Sequence, residues 1–504
     1  MTETPAHPES RSPGDHGDEE GAGLGTNLQI VAVGLGALAA ALAQTLIIPV
    51  LPELTTSLHT STGNAQWLLT STLLVAAVSV PVMGRLADMF GRRLVLLLSL
   101  GGLAVGSVID ALTSNLGVML AGRAVAGLSA AAIPLGISLL AVVLPKNRRG
   151  SATALVSAML GIGSALGLPL AGLIGDNADY HILYWIGAGG AVISGVLIFA
   201  LVTEPVSARE RRIDWAGITL LTAGLGCLVL GISQGSAWGW SSARVLTLFA
   251  AAVVALTALT RVEPRVANPL IDMSALRRPA IALTNVAALF VGFALFASFV
   301  GTTLYVQAPK ATGYGFGSSI LTAGLCLLPS GVLMLLLAPL AAKVISQWGP
   351  ARVLALGALV IAAGLVYRII AVDALWQVVV GSSIVGAGTG VGYAALPALI
   401  NAHTPTAQLA AANGINALAR SLGSSLASAV GGALLSAITM NVGGHDLPSL
   451  TGYRVLFAVC AAAAAAAALI GLVVSTGSSP SPTRPAGKNL PEVGATVGGS
   501  RPAE

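Results

Sequence analysis

The sequence predicts an all-α membrane protein of fourteen spans, arranged as two six-helix halves with two further helices between them. Three observations carry this. First, the 504 residues have a mean hydropathy of +0.86, with 55% apolar and only 9% charged residues, where a soluble protein carries roughly a quarter charged. Second, apolar runs long enough to cross a bilayer, about 20 residues each, follow one another along the chain. Third, a pattern near the start of the chain returns near its end.

The runs, taken in order, place helix 1 over 28–50, helix 2 over 64–84, helix 3 over 94–113 and helix 4 over 116–140. Helix 5 covers 151–175, helix 6 181–202, helix 7 214–234 and helix 8 242–260. Helix 9 covers 281–306, helix 10 317–343, helix 11 351–371 and helix 12 375–399. Helix 13 covers 408–438 and helix 14 452–474. Residues 1–26 are polar and acidic, without the basic start or cleavage pattern of a signal peptide. They read as a disordered cytoplasmic tail, as do residues 476–504, rich in Ser, Pro and Gly. The halves are then 27–203 and 266–475, and the inserted pair is 204–265.

The net charge of +5 would suggest nucleic acid in a soluble chain. Its distribution says otherwise. Of the 25 Lys and Arg, fifteen fall in the loops 2–3, 4–5, 6–7, 8–9 and 10–11, and only Arg244, Lys310 and Arg454 fall in the opposite loops. Basic residues are retained on the cytoplasmic side, so both termini are expected there, in a cell membrane. Nucleic acid is not an expected partner. The three cysteines, Cys227, Cys326 and Cys460, sit far apart in apolar runs and imply neither disulfide nor metal.

The repeat joins helices eight apart. Gly127 and Pro134 of helix 4 match Gly390 and Pro397 of helix 12 in spacing. In the loops before helices 3 and 11, Arg85 and Gly91 match Lys343 and Gly349. Parallel six-helix repeats are a transporter architecture, with the substrate site near the midplane between them.

The segment GRLADMFGRR (84–93) resembles the signature 2–3 loop of the major facilitator superfamily. With fourteen spans the chain resembles its fourteen-helix drug/proton antiporter family, of the multidrug efflux type. LAGRAVAGLSAA (120–131) is similar to that family's helix-4 motif, with Arg123 and Gly127 in place, and QWLLTSTLL (66–74) to its helix-2 pattern, with Trp67. IDWAG (213–217), LYVQ (304–307), AGLCLLP (323–329) and RSLG (420–423) also resemble family segments. Two positions depart. The acid of the helix-1 pattern, two residues before Thr45 with Pro52 following, is Ala43, and in the helix-5 motif Pro169 and Gly172 fit while Leu168 replaces a glycine, with Gly167 one residue early.

The resemblance implies a major facilitator fold and a conformational latch made of Gly84, Arg85, Asp88, Gly91, Arg92 and Arg93. The glycines allow close backbone approach, and Asp88 can accept from a neighbouring Arg or from a helix N-terminus; a plain positive-inside anchor is the alternative. Arg123, inside helix 4, needs a polar surrounding and a partner. No acid lies near the middle of any helix, so Gln44 and Thr45 are its nearest midplane candidates, with Asp110 at the outer end of helix 3. A purely structural pairing on the cytoplasmic side is the other reading.

Candidates for the substrate and proton pathway are Gln44, Thr45, Trp67, Thr72, Arg123, Asn285, Gln307, Tyr393, Asn416 and Arg420, with interhelical hydrogen bonding as the alternative for the amides and the tyrosine. Arg420 and Arg368 are expected to snorkel. Phe290, Phe293, Phe296 and Phe299 form a stripe on helix 9 that suits packing as well as an apolar ligand. Gly127, Gly163, Gly167, Pro169 and Gly172 are helix-packing positions.

There is no phosphate-binding glycine loop, no metal-ligand cluster and no nucleophile–base set. The chain is therefore read as a non-enzyme without cofactors: a secondary transporter exporting drugs or antibiotics, in exchange for protons, by alternating access. It is expected to work as a monomer in the lipid bilayer. Export of one endogenous metabolite or lipid without protons is the alternative in transport, and a receptor or scaffold the alternative outside it.

Overall fold

In the computed structural model the described residues are 15–47, 54, 57–60, 62–204, 214–266, 270, 273–371, 373–443 and 445–477. Pro52, Glu53, Arg209, Arg211, Arg212 and the terminal stretches 1–14 and 478–504 lie outside them. Fourteen long helices run through the described part: α1 Asp15–Thr45, α2 Thr62–Phe90, α3 Arg92–Ala111, α4 Leu116–Val143, α5 Lys146–Asn177, α6 His181–Leu201 and α7 Trp215–Trp238. They continue as α8 Ala243–Val262, α9 Pro279–Gln307, α10 Ile320–Trp348, α11 Pro350–Ile370, α12 Leu375–His403, α13 Leu409–Ala437 and α14 Leu450–Gly477. In hydrocarbon every backbone polar group must be satisfied within the protein, which an apolar helix does by itself.

Thirteen of these helices are long and apolar enough to cross a membrane. The remaining long one, α13, has 29 residues but carries Asn413, Asn416, Arg420 and several serines. Those three larger polar residues are buried, so the polarity of α13 is turned into the protein. Two details add to the expected fold. α1 begins at Asp15, so the backbone over 15–26, read as tail, is helical and runs on into the first span. A small antiparallel hairpin, β1 Thr439–Val442 with β2 His445–Pro448, interrupts the all-helical chain before α14.

The repeat is visible in the backbone. Gly91 before α3 and Gly349 before α11 both have positive φ, 112° and 79°, a conformation that glycine adopts without strain. Gly106 on α3 lies against α4, where a Cβ would strike the Gly122 carbonyl, and Gly364 on α11 lies against α12, 2.9 Å from a Val385 atom by the same measure. In each half these glycines seat the third helix on the fourth.

The two halves meet along two seams. On one, α5 and α10 approach closely at Gly161 with Met334, Gly331 with Ala165, Gly324 with Pro169 and Gly172 with Leu321. On the other, α2 meets α13, with Gly84 set against the Ala410 carbonyl and Gly414 against that of Val80. The inserted α7 packs on both α2 and α13. Its Leu221, Leu225 and Val229 form one apolar cluster with Ala77 of α2 and Leu418 of α13, Ser233 hydrogen-bonds Thr70 at 2.9 Å, and Trp238 lies 6.4 Å from Trp67. The second of these seams is thus covered by α7.

Candidate transport site

At the face carrying the basic loops, Asp88 is buried and receives three hydrogen bonds. Arg92 donates to Oδ1 at 3.0 Å, the Ala410 N–H to Oδ1 at 3.3 Å and the Ala411 N–H to Oδ2 at 2.9 Å. The last two belong to the first turn of α13, whose free N–H groups and positive dipole end suit a carboxylate. Arg92 also donates to the Thr406 carbonyl at 2.5 Å. Both kinds of donor expected for Asp88 are therefore present, and they tie α2 to the opposite half. Gly84 permits the approach, since a Cβ there would lie 2.8 Å from the Ala410 carbonyl oxygen. Arg93 turns away instead: its N–H meets Glu204, and its guanidinium lies over Phe199 and donates to the Phe199 carbonyl. Arg85 is half-buried on the same turn.

Between the halves lies a cavity of about 280 Å³. Gln44, Thr45, Thr72, Arg123, Tyr393 and Arg420 line it together with Phe296, Phe299 and four serines of α13. Arg123 donates from Nε to the Thr72 hydroxyl at 3.1 Å and from Nη2 to the Ala43 carbonyl at 3.2 Å. Its partners are thus a hydroxyl and a backbone oxygen, neither of them Gln44 or Thr45. The carbonyl is exposed to it by Ala43, at the position where the resemblance places an acid. Arg420 does not snorkel. It is buried, donates to the Asn416 Oδ1 at 3.1 Å and stands 5.1 Å over the Tyr393 ring. Among the described residues no carboxylate lines the cavity.

Four of the pathway candidates lie elsewhere. Asn416 donates to Asn285 at 3.0 Å, a bond between α13 and α9; Gln307 donates to the Thr303 carbonyl within α9; Trp67 packs on Trp238. Of the phenylalanine stripe, Phe293 is in the core of the second half and Phe290 packs against it. The packing positions hold α4 and α5 tight: a Cβ at Gly127 would lie 2.8 Å from the Thr72 carbonyl oxygen, and one at Gly163 or Gly167 would strike Ala41 or the Thr45 hydroxyl of α1. Pro169 and Gly172 face α10. Beside the cavity α4 tightens into a 3₁₀ segment, Gly127–Ala131. Pro134 supplies no N–H to the Ala130 carbonyl, which favours such a local change.

Two charges that the sequence places near outer helix ends are buried. Arg368 does not snorkel: it is 2% exposed, donates to Thr302, Ser382 and the Val378 carbonyl at 3.3–3.4 Å, and lies between the rings of Tyr305 and Phe457. Asp110 is wholly buried on α3. The repeat held the signal, because Asp110 to Arg368 is the same 258-residue interval as Gly91 to Gly349. Each half sets one charge at the same place on its third helix.

Two similar six-helix halves with a cavity between them, hydrogen-bonded to each other at the basic-loop face, are the architecture of a membrane transporter. The chain belongs to the Major Facilitator Superfamily, whose family model matches residues 33–367 and 291–499, and its fourteen long helices agree with the fourteen-helix branch. It is 28% identical over 416 residues to the tetracenomycin C resistance and export protein of Streptomyces glaucescens, covering 81% of this chain and 75% of that one. It is 26% identical over 413 residues to the multidrug resistance protein Stp of Mycobacterium tuberculosis, covering 81% and 76%. The crystal structure of the human organic anion transporter MFSD10 shares the fold, with a TM-score of 0.59 and 17% identity over 90% of this chain and 99% of that one.

Proposed function

We propose that this protein is a secondary active exporter of neutral, apolar small molecules, exchanged for protons by alternating access. The observation that carries the reading is the lining of the central cavity. Its apolar and aromatic surface suits a drug-sized apolar body, and its volume lies near the lower end of small-molecule sites (~300–1,000 Å³). Arg123 and Arg420, with no lining carboxylate among the described residues, repel a cation, while their remaining donors and the serine hydroxyls suit neutral oxygen acceptors. Relatives named for antibiotic export and multidrug resistance support antibiotics as cargo. The Asp88 latch holds the basic-loop face shut in this state and opens in the other, as a two-state element of the transport cycle. With the basic loops cytoplasmic, the protein sits in the cell membrane with both termini inside and works as a monomer.

Transport in proteoliposomes tests the reading with three dyes: Nile red (neutral), ethidium (cationic) and fluorescein (anionic). Nile red flux that responds to an imposed pH gradient, with little ethidium flux, is the expected result. Ethidium moving faster than Nile red sinks the substrate class. Flux indifferent to a gradient of either sign sinks the proton exchange and leaves uncoupled export of a metabolite or lipid, the reading that Ala43 at the acid position favours.

A further inference from the structure

Asp110 is the one acidic residue of α3, and the latch and the cavity give it no task. It is wholly buried, and among the described residues neither carboxyl oxygen has a hydrogen-bond partner. The carboxyl lies against the backbone of Gly122, in the space a side chain there would fill. The next residue is Arg123, whose charge acts on it, yet Arg123 spends its hydrogen bonds on Thr72 and Ala43. Beside them a second cavity, lined by Ala43, Ser107, Arg123 and Tyr184, leaves about 10 Å³, close to the space of one water. The Tyr184 hydroxyl there is also without a partner among the described residues. Arg123 borders both this cavity and the central one. At the equivalent place in the other half, Arg368 is held by three hydrogen bonds and two rings. Hence this position is a fixture in one half and an unpartnered acid in the other.

A carboxylate out of water with no hydrogen bond is disfavoured. It has two ways out: to bind a proton, or to draw Arg123 to itself. We propose that Asp110 is the proton-binding residue of this exporter and that Arg123 reports its state to the cargo site; this rests on the proton-exchange reading above. With the proton on Asp110, Arg123 turns to Thr72 and the Ala43 carbonyl, as in this structure. When Asp110 releases the proton to water, its carboxylate pairs with Arg123, which stays charged throughout. The Thr72 hydroxyl, which lines the cavity, is then free for a neutral cargo, and the cargo site loses a net positive charge. Cargo and proton therefore exclude each other, as exchange requires.

Arg123 is the one described charge that α4 and α6 bring to the buried Asp110 carboxyl. Of the elements packed on α3, α4 presents Arg123, and α6 presents Tyr184, with Tyr180 and His181 at its start. α1 and α2 carry no ionisable residue over 25–47 and 62–84.

The test uses the full chain in proteoliposomes with Nile red. One proton per cargo lets a tenfold proton gradient sustain up to about a tenfold cargo ratio. Asp110→Asn is expected to hold a ratio of one under that gradient while still exchanging Nile red down its own gradient. Ala43→Asp added to Asp110→Asn puts a carboxylate beside Arg123 from α1 and is expected to restore accumulation. Asp110→Asn that accumulates like the parent overturns the proposal. So does loss of downhill exchange in Asp110→Asn that Ala43→Asp does not relieve, since Asp110 is then structural. A parent protein that ignores the gradient fails the exchange reading itself, a separate result.

Discussion

At the scale of the residue, the cargo role proposed for Arg123 and the latch role proposed for Asp88 rest on different hydrogen bonds. Arg123 spans a hydroxyl on α2 and a carbonyl on α1 with two different nitrogens. Lysine has a single nitrogen and cannot reproduce that fork. Losing one hydrogen bond to a charged group costs about 1.5–3 kcal/mol, so Arg123→Lys should lower Nile red transport by about tenfold to a hundredfold; a parent-like rate would show that the fork is idle. Asp88→Asn keeps the shape but removes the charge that Arg92 and the α13 N-terminus face. It should shift the population away from the state closed at the basic-loop face, seen as a longer spin-label distance between the ends of α2 and α13 there. An unchanged distance distribution would count against the latch.

At the scale of the element, the helices were legible because hydropathy and length decide them. Which way each residue faces was less so. Depth along a helix can be read from position, and it suggested snorkelling for Arg368 and Arg420. The direction of a side chain around the helix depends on neighbours from distant parts of the chain, such as Tyr305, Phe457 and Tyr393. The same limit hid Asn285 and Asn416 pairing with each other and the burial of Asp110 beside Arg123. The loop glycines were legible for a local reason, a backbone turn that side chains resist. Small residues in α5 marked close contact but not the partner, which proved to be α1 at Gly163 and Gly167 and α10 at Gly172. Gly167→Val should drive α5 off Thr45 and lower the melting temperature of the purified protein, an overpacking effect of about 1–3 kcal/mol. A variant as stable as the parent would show that α1 gives way there.

At the scale of the whole molecule, exchange of a neutral cargo for a proton moves one charge per cycle. A potential that draws protons toward the basic-loop face should speed Nile red export even without a pH difference, since 100 mV on one charge is worth about 2.3 kcal/mol. Flux independent of a potassium–valinomycin potential would exclude that stoichiometry. The position shared by Asp110 and Arg368 bears on the same measurement. Parallel repeats are related by an axis along the membrane normal, so equivalent sites in the two halves lie at one depth. When Asp110 is ionised, the two residues are opposite poles of a dipole lying flat in the membrane. A field along the normal exerts no net pull on such a pair, whichever way the halves rock. On the proposed proton exchange, this pair adds nothing to the voltage dependence, which falls on the travelling proton.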